Sequence, residues 1–107
     1  MNQGSRGAPV KFTQNVSFTT GRIDELNSYF DDWIARSEGD RIPHRAVLLA
    51  GRDTRGAYVL TVEFSSHETA IENSARPRTG EFSAFLGQIA DGPVGFRSFD
   101  VLRVEDL

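Results

Sequence analysis

A single antiparallel β-sheet with helices on one of its faces, an α+β fold, is what this sequence predicts. Three observations carry the prediction. Residues 10–20 alternate apolar and polar side chains, residues 23–34 repeat apolar side chains at helical spacing, and residues 45–64 hold two apolar runs around a short polar turn. Period-two alternation marks a strand with one buried face, and spacings of three and four mark one face of a helix.

In the first strand, Val10, Phe12, Val16 and Phe18 share a face with Gln14 among them, and Lys11, Thr13, Asn15, Ser17 and Thr19 share the other. Thr20-Gly21 offers a helix cap, and Asp24 and Glu25 suit the positive end of a helix dipole. Ile23, Leu26, Tyr29, Phe30, Trp33 and Ile34 then form one apolar stripe. The helix is expected to stop near Ser37, because Glu38-Gly39-Asp40 breaks it and Pro43 excludes helix beyond.

Residues 45–52 and 57–64 read as antiparallel partners joined around Thr54-Arg55-Gly56, with Gly56 suited to positive φ. Residues 46–50 are apolar on both faces, so the face the helices leave free needs a second apolar surface. Tyr58, Leu60, Val62 and Phe64 share one face of the following strand. Ser65-x-x-Glu68 has the form of a capping box, opening a short helix to about Ser74 with only Ala70 and Ile71 as anchors. Arg76-Pro77-Arg78 interrupts it. Thr79 can cap a further helix with the stripe Phe82, Phe85, Leu86 and Ile89, which Asp91-Gly92-Pro93 ends. Residues 96–104 are the last strand, and the phase shift in Phe96, Phe99, Val101, Leu102 and Val104 suggests a bulge near Ser98. Leu60 and Phe85 are expected in the core and Asp53 in solvent.

The order is β-α-β-β-α-β with a broken second helical region, the ferredoxin-like pattern. The chain of 107 residues fits one domain at 10–107, after a small, polar leader at 1–9 expected to be disordered. A net charge of −3 without a basic stripe disfavours nucleic acid as a partner. No apolar run approaches the roughly 18 residues a membrane helix needs. With no cysteine there is no disulfide framework or thiolate site, which fits a cytoplasmic location. His44 and His67 stand far apart with no carboxylate at ligand spacing, so no metal site is expected. Neither a phosphate-cradling glycine loop nor a nucleophile elbow occurs, and no cofactor is expected.

The run Val59-Leu-Thr-Val-Glu-Phe-Ser-Ser-His-Glu-Thr-Ala70, followed by Pro77 and Phe82-x-x-Phe85-Leu86, resembles the dimeric α+β barrel superfamily, in particular its antibiotic-biosynthesis-monooxygenase-like branch. In that branch the third strand ends in an aromatic residue, a short helix opens on small and acidic residues, and a break precedes a Phe-containing helix. The resemblance implies a homodimer whose sheets pack face to face into a barrel, with a pocket in each subunit between sheet and helices. Some members oxidise polycyclic phenols without metal or flavin, others degrade haem, and many have no known activity. This chain departs from the pattern by carrying Phe64 where the oxygenases usually carry Trp, so no indole N–H stands at that position.

If a small aromatic or anionic molecule binds, Trp33, Tyr58 and Phe64 are expected as apolar walls, and Asn15, His67, Asn73 and Arg76 as polar contacts. Tyr58 and Phe64 share a strand face, Trp33 lies on the stripe that covers it, and a helix break leaves that cover incomplete. The resemblance implies a role for an asparagine near Asn15 in holding a carbonyl or phenol. His67 has an imidazole for proton transfer, and Arg76 has a fork suited to carboxylate or phenolate. Each residue also has a plain structural role open to it: Asn15 as a cross-strand polar group, Trp33 as core, His67 as a helix-start residue, and Asn73 and Arg76 as cap and surface charge. Three functions fit the sequence: a homodimeric ligand-binding protein, a cofactor-independent oxygenase acting on an aromatic or polyketide-like substrate, or a structural interaction module.

Overall fold

The computed structural model describes residues 9–107, so the expected leader, Pro9 excepted, lies outside the described residues. The elements are β1 (Phe12–Thr19), α1 (Ile23–Arg36), β2 (Arg45–Ala50), β3 (Ala57–Phe64), α2 (His67–Ser74), α3 (Pro77–Ile89) and β4 (Gly95–Asp100). They form a four-stranded sheet in the order β2-β3-β1-β4, antiparallel throughout. This is the ferredoxin-like α+β fold the sequence predicts.

Register decides which side chains share a face. Val16 lies opposite Leu60 on one side and Phe96 on the other, and Leu60 lies opposite Leu48. Directly paired residues point the same way, so Gln14, Tyr58, Val62, Phe64 and Ala46 also belong to the helix-covered face. Asn15, Ser17, Val59, Thr61, Val47, Leu49 and Phe99 belong to the opposite face.

The core sits under the helices. Val16, Phe18, Leu60, Leu26, Leu86 and Ile89 form one buried cluster, and Phe30, Tyr58, Phe82 and Phe85 pack around it. Contacts pair the start of α1 with the end of α3: Arg22 donates to the Gln88 carbonyl at 3.3 Å, and the Thr20 hydroxyl donates to the Ile89 carbonyl at 2.6 Å. Further along, Tyr29 stacks on Phe85 with ring centroids 4.4 Å apart, and Phe30 meets Phe82 at 5.4 Å. The hairpin turn closes at Gly56, whose φ of 83° is a conformation L side chains resist.

Local details depart from the sequence reading in six places. The capping box is shifted by one residue: the Ser66 hydroxyl accepts from the Thr69 amide at 3.1 Å, and the Thr69 hydroxyl accepts from the Ser66 amide at 3.2 Å. A threonine at that position serves as well as a glutamate, because the return bond needs only an acceptor. Pro77 opens α3 rather than merely interrupting, since a proline suits the first helical position where an N–H has no partner. Thr79 therefore sits inside the first turn, where its hydroxyl donates to the Asn73 carbonyl at 2.7 Å and ties α3 to α2. At α1, Thr20 acts from ahead of the cap, accepting from the Arg22 amide at 2.9 Å. β4 ends at Asp100 in unbroken register with β1, so the bulge near Ser98 is absent: Phe96 and Phe99 fall out of phase because they stand on opposite faces of a regular strand. Finally, some stripe residues are wetter than their spacing implies. Ile34 is 48% exposed, Ile71 is 56% exposed, and Phe85 is half-buried where Leu60 is 2% exposed. Amphipathic spacing chooses a face but does not guarantee that the opposing surface extends to its end.

Candidate functional site

Under the C-terminal half of α1 the helical cover separates from the sheet. The space between is a cavity of about 230 Å³. Its floor is Leu60, Val62 and Phe64 of β3 with Val16 and Gln14 of β1, and Phe96 of β4 closes one side. Its roof is Phe30 and Trp33 of α1 with Phe82 and Leu86 of α3. The sequence arranges this simply: large aromatic rings occupy successive turns of α1 and α3, and their bulk props the helices apart where no smaller side chain fills the gap. A lining this rich in aromatic and aliphatic side chains, with few polar groups among them, has the character of a site for a small organic molecule.

The polar groups come from four places. Gln14 is the one polar side chain on the covered face of β1 within this lining, and its amide makes no hydrogen bond to the described residues. Asn73 enters from the end of α2, and Thr79 and Ser83 from α3. The mouth is formed by the loop after α1, where Arg41 and His44 line the opening. The Arg41 guanidinium lies 5.9 Å from the centre of the Trp33 ring and donates to the Ile34 carbonyl at 3.1 Å. Arg45 also borders the mouth, but its guanidinium is directed to Glu63, which it grips with two bonds of 2.8 and 3.1 Å, and this carboxylate raises its pKa. Asp40 anchors the loop to the helix break, accepting from Arg76 at 3.3 Å and standing 3.6 Å from Arg78.

Of the seven residues singled out in the sequence, the structure brings three into this cavity: Trp33, Phe64 and Asn73. Tyr58 shares the covered face but lies at the other end of β3, stacked on Phe18 at 5.8 Å beside a separate, open hollow. Asn15 lies on the uncovered face, where its Oδ1 is buried without a hydrogen-bond partner among the described residues. His67 is exposed at the start of α2, its ring 5.0 Å from that of Phe12. Arg76 is committed to Asp40. The residues that sequence reasoning passed over are Gln14, Arg41 and Ser83. For Gln14 the signal was present, as a polar residue interrupting an otherwise apolar strand face. For Arg41 there was none, because only the loop's fold brings it against Trp33.

No protein-family model matches the sequence, and no curated protein matches it. Solved structures do match the fold. SnoaB, a cofactor-independent oxygenase from Streptomyces nogalater, is similar with a TM-score of 0.71 at 21% identity, over 90% of this chain and 97% of SnoaB. Rv0793 from Mycobacterium tuberculosis is similar with a TM-score of 0.68 at 19% identity, over 89% of this chain and 98% of its own. A solved antibiotic biosynthesis monooxygenase gives a TM-score of 0.66 at 8% identity, over 86% of this chain and 99% of that one. The chain thus has the fold of the antibiotic-biosynthesis-monooxygenase-like α+β proteins, as its helix break and third strand suggest. Among the described residues no helix is long and apolar enough to cross a membrane.

Proposed function

We propose that this protein is a homodimer that binds a small, flat, largely apolar molecule in each sheet–helix cavity. The observation that carries the reading is the cavity itself, walled by Trp33, Phe64 and Phe82 and supplied with an unengaged amide at Gln14. At about 230 Å³ it exceeds the roughly 150 Å³ apolar cavity that accepts benzene. It falls short of the roughly 300 Å³ at which drug-sized sites begin. One or two fused rings match that volume better than a larger polycycle does. The test is a titration with 2-naphthol against the unmodified protein and a Ser83→Phe variant. Ser83 is exposed and lines the cavity, so a ring there fills the space without disturbing the core. Saturable binding by the unmodified protein, lost in Ser83→Phe at an unchanged unfolding midpoint, is the expected result. Absence of binding, or equal binding by both, contradicts the reading.

Dimerisation is supported by the uncovered sheet face. Val47, Val59 and Thr61 are only half-buried there, and Leu49 and Phe99 are 48% and 43% exposed. A stable pair buries about 800 Å² per partner, so the face would serve as the centre of a larger contact. Sedimentation velocity at micromolar concentration is expected to give a dimer, and a monomer contradicts it.

A second reading is favoured by one observation, the similarity to SnoaB, which is a cofactor-independent oxygenase. In such a reaction the substrate supplies the electrons. A phenolate ring reduces dioxygen, the ring carbon para to its oxygen exchanges its hydrogen for one oxygen atom to give a quinone, and the other oxygen atom leaves as water. This chain would contribute the Gln14 and Asn73 amides as hydrogen-bond partners for the phenol and carbonyl oxygens, and the His44 imidazole to take up a proton. Phe64 withholds an indole at the end of β3, yet Trp33 brings one to the same cavity from α1. Oxygen uptake with a dihydroxynaphthalene, in protein freed of metal and flavin, is the check. Uptake at the rate seen without protein contradicts this second reading and leaves the binding function standing.

A further inference from the structure

We infer that the molecule bound in this cavity carries one anionic oxygen group, a carboxylate or phenolate on an aromatic ring, and that Arg41 is the residue that reads it. The inference rests on the binding function proposed above and specifies its ligand.

The charges around the cavity carry the argument. Among the described residues no aspartate or glutamate lines it, while Arg41, His44 and Arg45 do, Arg45 with its guanidinium bonded to Glu63. Four arginines lie within reach of this end of the molecule, and three of them are already engaged by carboxylates. Arg76 and Arg78 share Asp40, and Arg45 is held by both oxygens of Glu63. Arg41 has no carboxylate partner among the described residues, only the Ile34 carbonyl and the face of Trp33. A guanidinium held near an indole face and by one carbonyl bond is oriented, and its remaining N–H groups form a fork that matches an oxyanion. The same ring of Trp33 walls the cavity, so a flat ligand beneath it brings its edge towards Arg41. α3 adds to the field: it begins at Pro77, Thr79 of its first turn lines the cavity, and that turn holds no acidic residue to offset the positive end of the dipole. An apolar floor with a cation at the lip suits a ligand with one charged end and one dry end. A dianion, or a neutral polyol, would leave charge or hydroxyls unpaired against phenylalanine.

The pair of 2-naphthoate and 2-naphthamide tests this, because the two are close in shape and differ in charge. Calorimetric titration at low salt is expected to show naphthoate binding about tenfold more tightly than the amide. In Arg41→Gln the two are expected to bind alike, with the amide's affinity within about twofold of the unmodified protein. Arg41→Lys, which keeps the charge and loses the fork, is expected to retain part of the preference. Arg45→Gln, whose partner is Glu63, is expected to leave the preference intact. Equal binding of the two probes by the unmodified protein overturns the inference while leaving the binding function in place. So does a preference that survives Arg41→Gln, or one that Arg45→Gln abolishes. If neither probe binds, the binding function fails, and the ligand assignment fails with it.

Discussion

The two halves of α1 lie over the same sheet and end differently. In the first half, Leu26 is fully buried against Ile89 and Phe18, and the Thr20 hydroxyl bonds the end of α3. In the second half, Phe30 and Trp33 are half-buried, Ile34 is 48% exposed, and a cavity opens beneath them. Both halves carry apolar residues at the same spacing. What differs is side-chain size and what the opposing helix offers. Leucine and isoleucine interdigitate at the closed end, whereas rings on both helices meet each other at the open end before they can reach the sheet. A continuous amphipathic stripe can therefore hold a fold together at one end and leave a cavity at the other.

Several measurements would break or sharpen this contrast. The largest effect is expected at the closed end. Leu26→Ala should lower unfolding free energy by about 2–5 kcal/mol, the usual range for truncating a fully buried leucine. Trp33→Ala should cost less despite removing a bigger side chain, because its site is already part open. Denaturant unfolding showing Trp33→Ala as the more damaging of the two would mean the open end is the true core.

Next comes Thr20→Val, which keeps the volume but leaves the Ile89 carbonyl without its donor and the Arg22 amide without its acceptor. A loss of about 1–3 kcal/mol is expected from the buried carbonyl, measured by thermal or denaturant unfolding. A change near zero would separate the two helices energetically and remove the reason the closed end stays shut.

Ser66→Ala should cost about 0.5–2 kcal/mol through the lost cap of α2. Because α2 carries Asn73 to the cavity, hydrogen exchange in α2 should rise more than in α1. Uniform change across both helices would place the cap's effect outside the open end.

The smallest effect concerns the surface. The hydrogen bond from Arg22 lowers the pKa of Glu25. A depressed carboxylate adds stability above its unfolded pKa, and that stability is lost as pH falls through the folded value. A nuclear magnetic resonance titration should place Glu25 below the ordinary glutamate midpoint in the native protein and return it there in Arg22→Gln. Because both groups are in water, salt should erase most of the difference.

Much of the fold was legible in the sequence, and the reasons are local. Alternation at residues 10–20 fixes β1 and its buried face. The polar break at Thr54-Arg55-Gly56 fixes the hairpin, because Gly56 needs a positive φ. Helix boundaries moved by a residue or more where two polar candidates stood side by side, as at Ser65 and Ser66. The candidate site was legible only in part. Trp33 and Phe64 follow from face and period, and both line the cavity. Asn15 was chosen for its chemistry against its own phase in the strand, which puts it on the opposite face from Val16. Tyr58 has the correct face but lies at the closed end, since register, not alternation, sets position along a strand. Arg76 and Arg41 could not be told apart without the fold. Which arginine is neutralised depends on where Asp40 falls, and that is a property of the loop's path.

The most direct measurement is a crystal soaked in 2-bromonaphthalene, with the bromine located by its anomalous signal. A single peak is expected in each chain between Trp33 and Phe64, with none beside Phe18 and Tyr58. A peak at the Phe18–Tyr58 hollow alone, or no peak at either end, would contradict the assignment of the binding space to the open half of α1.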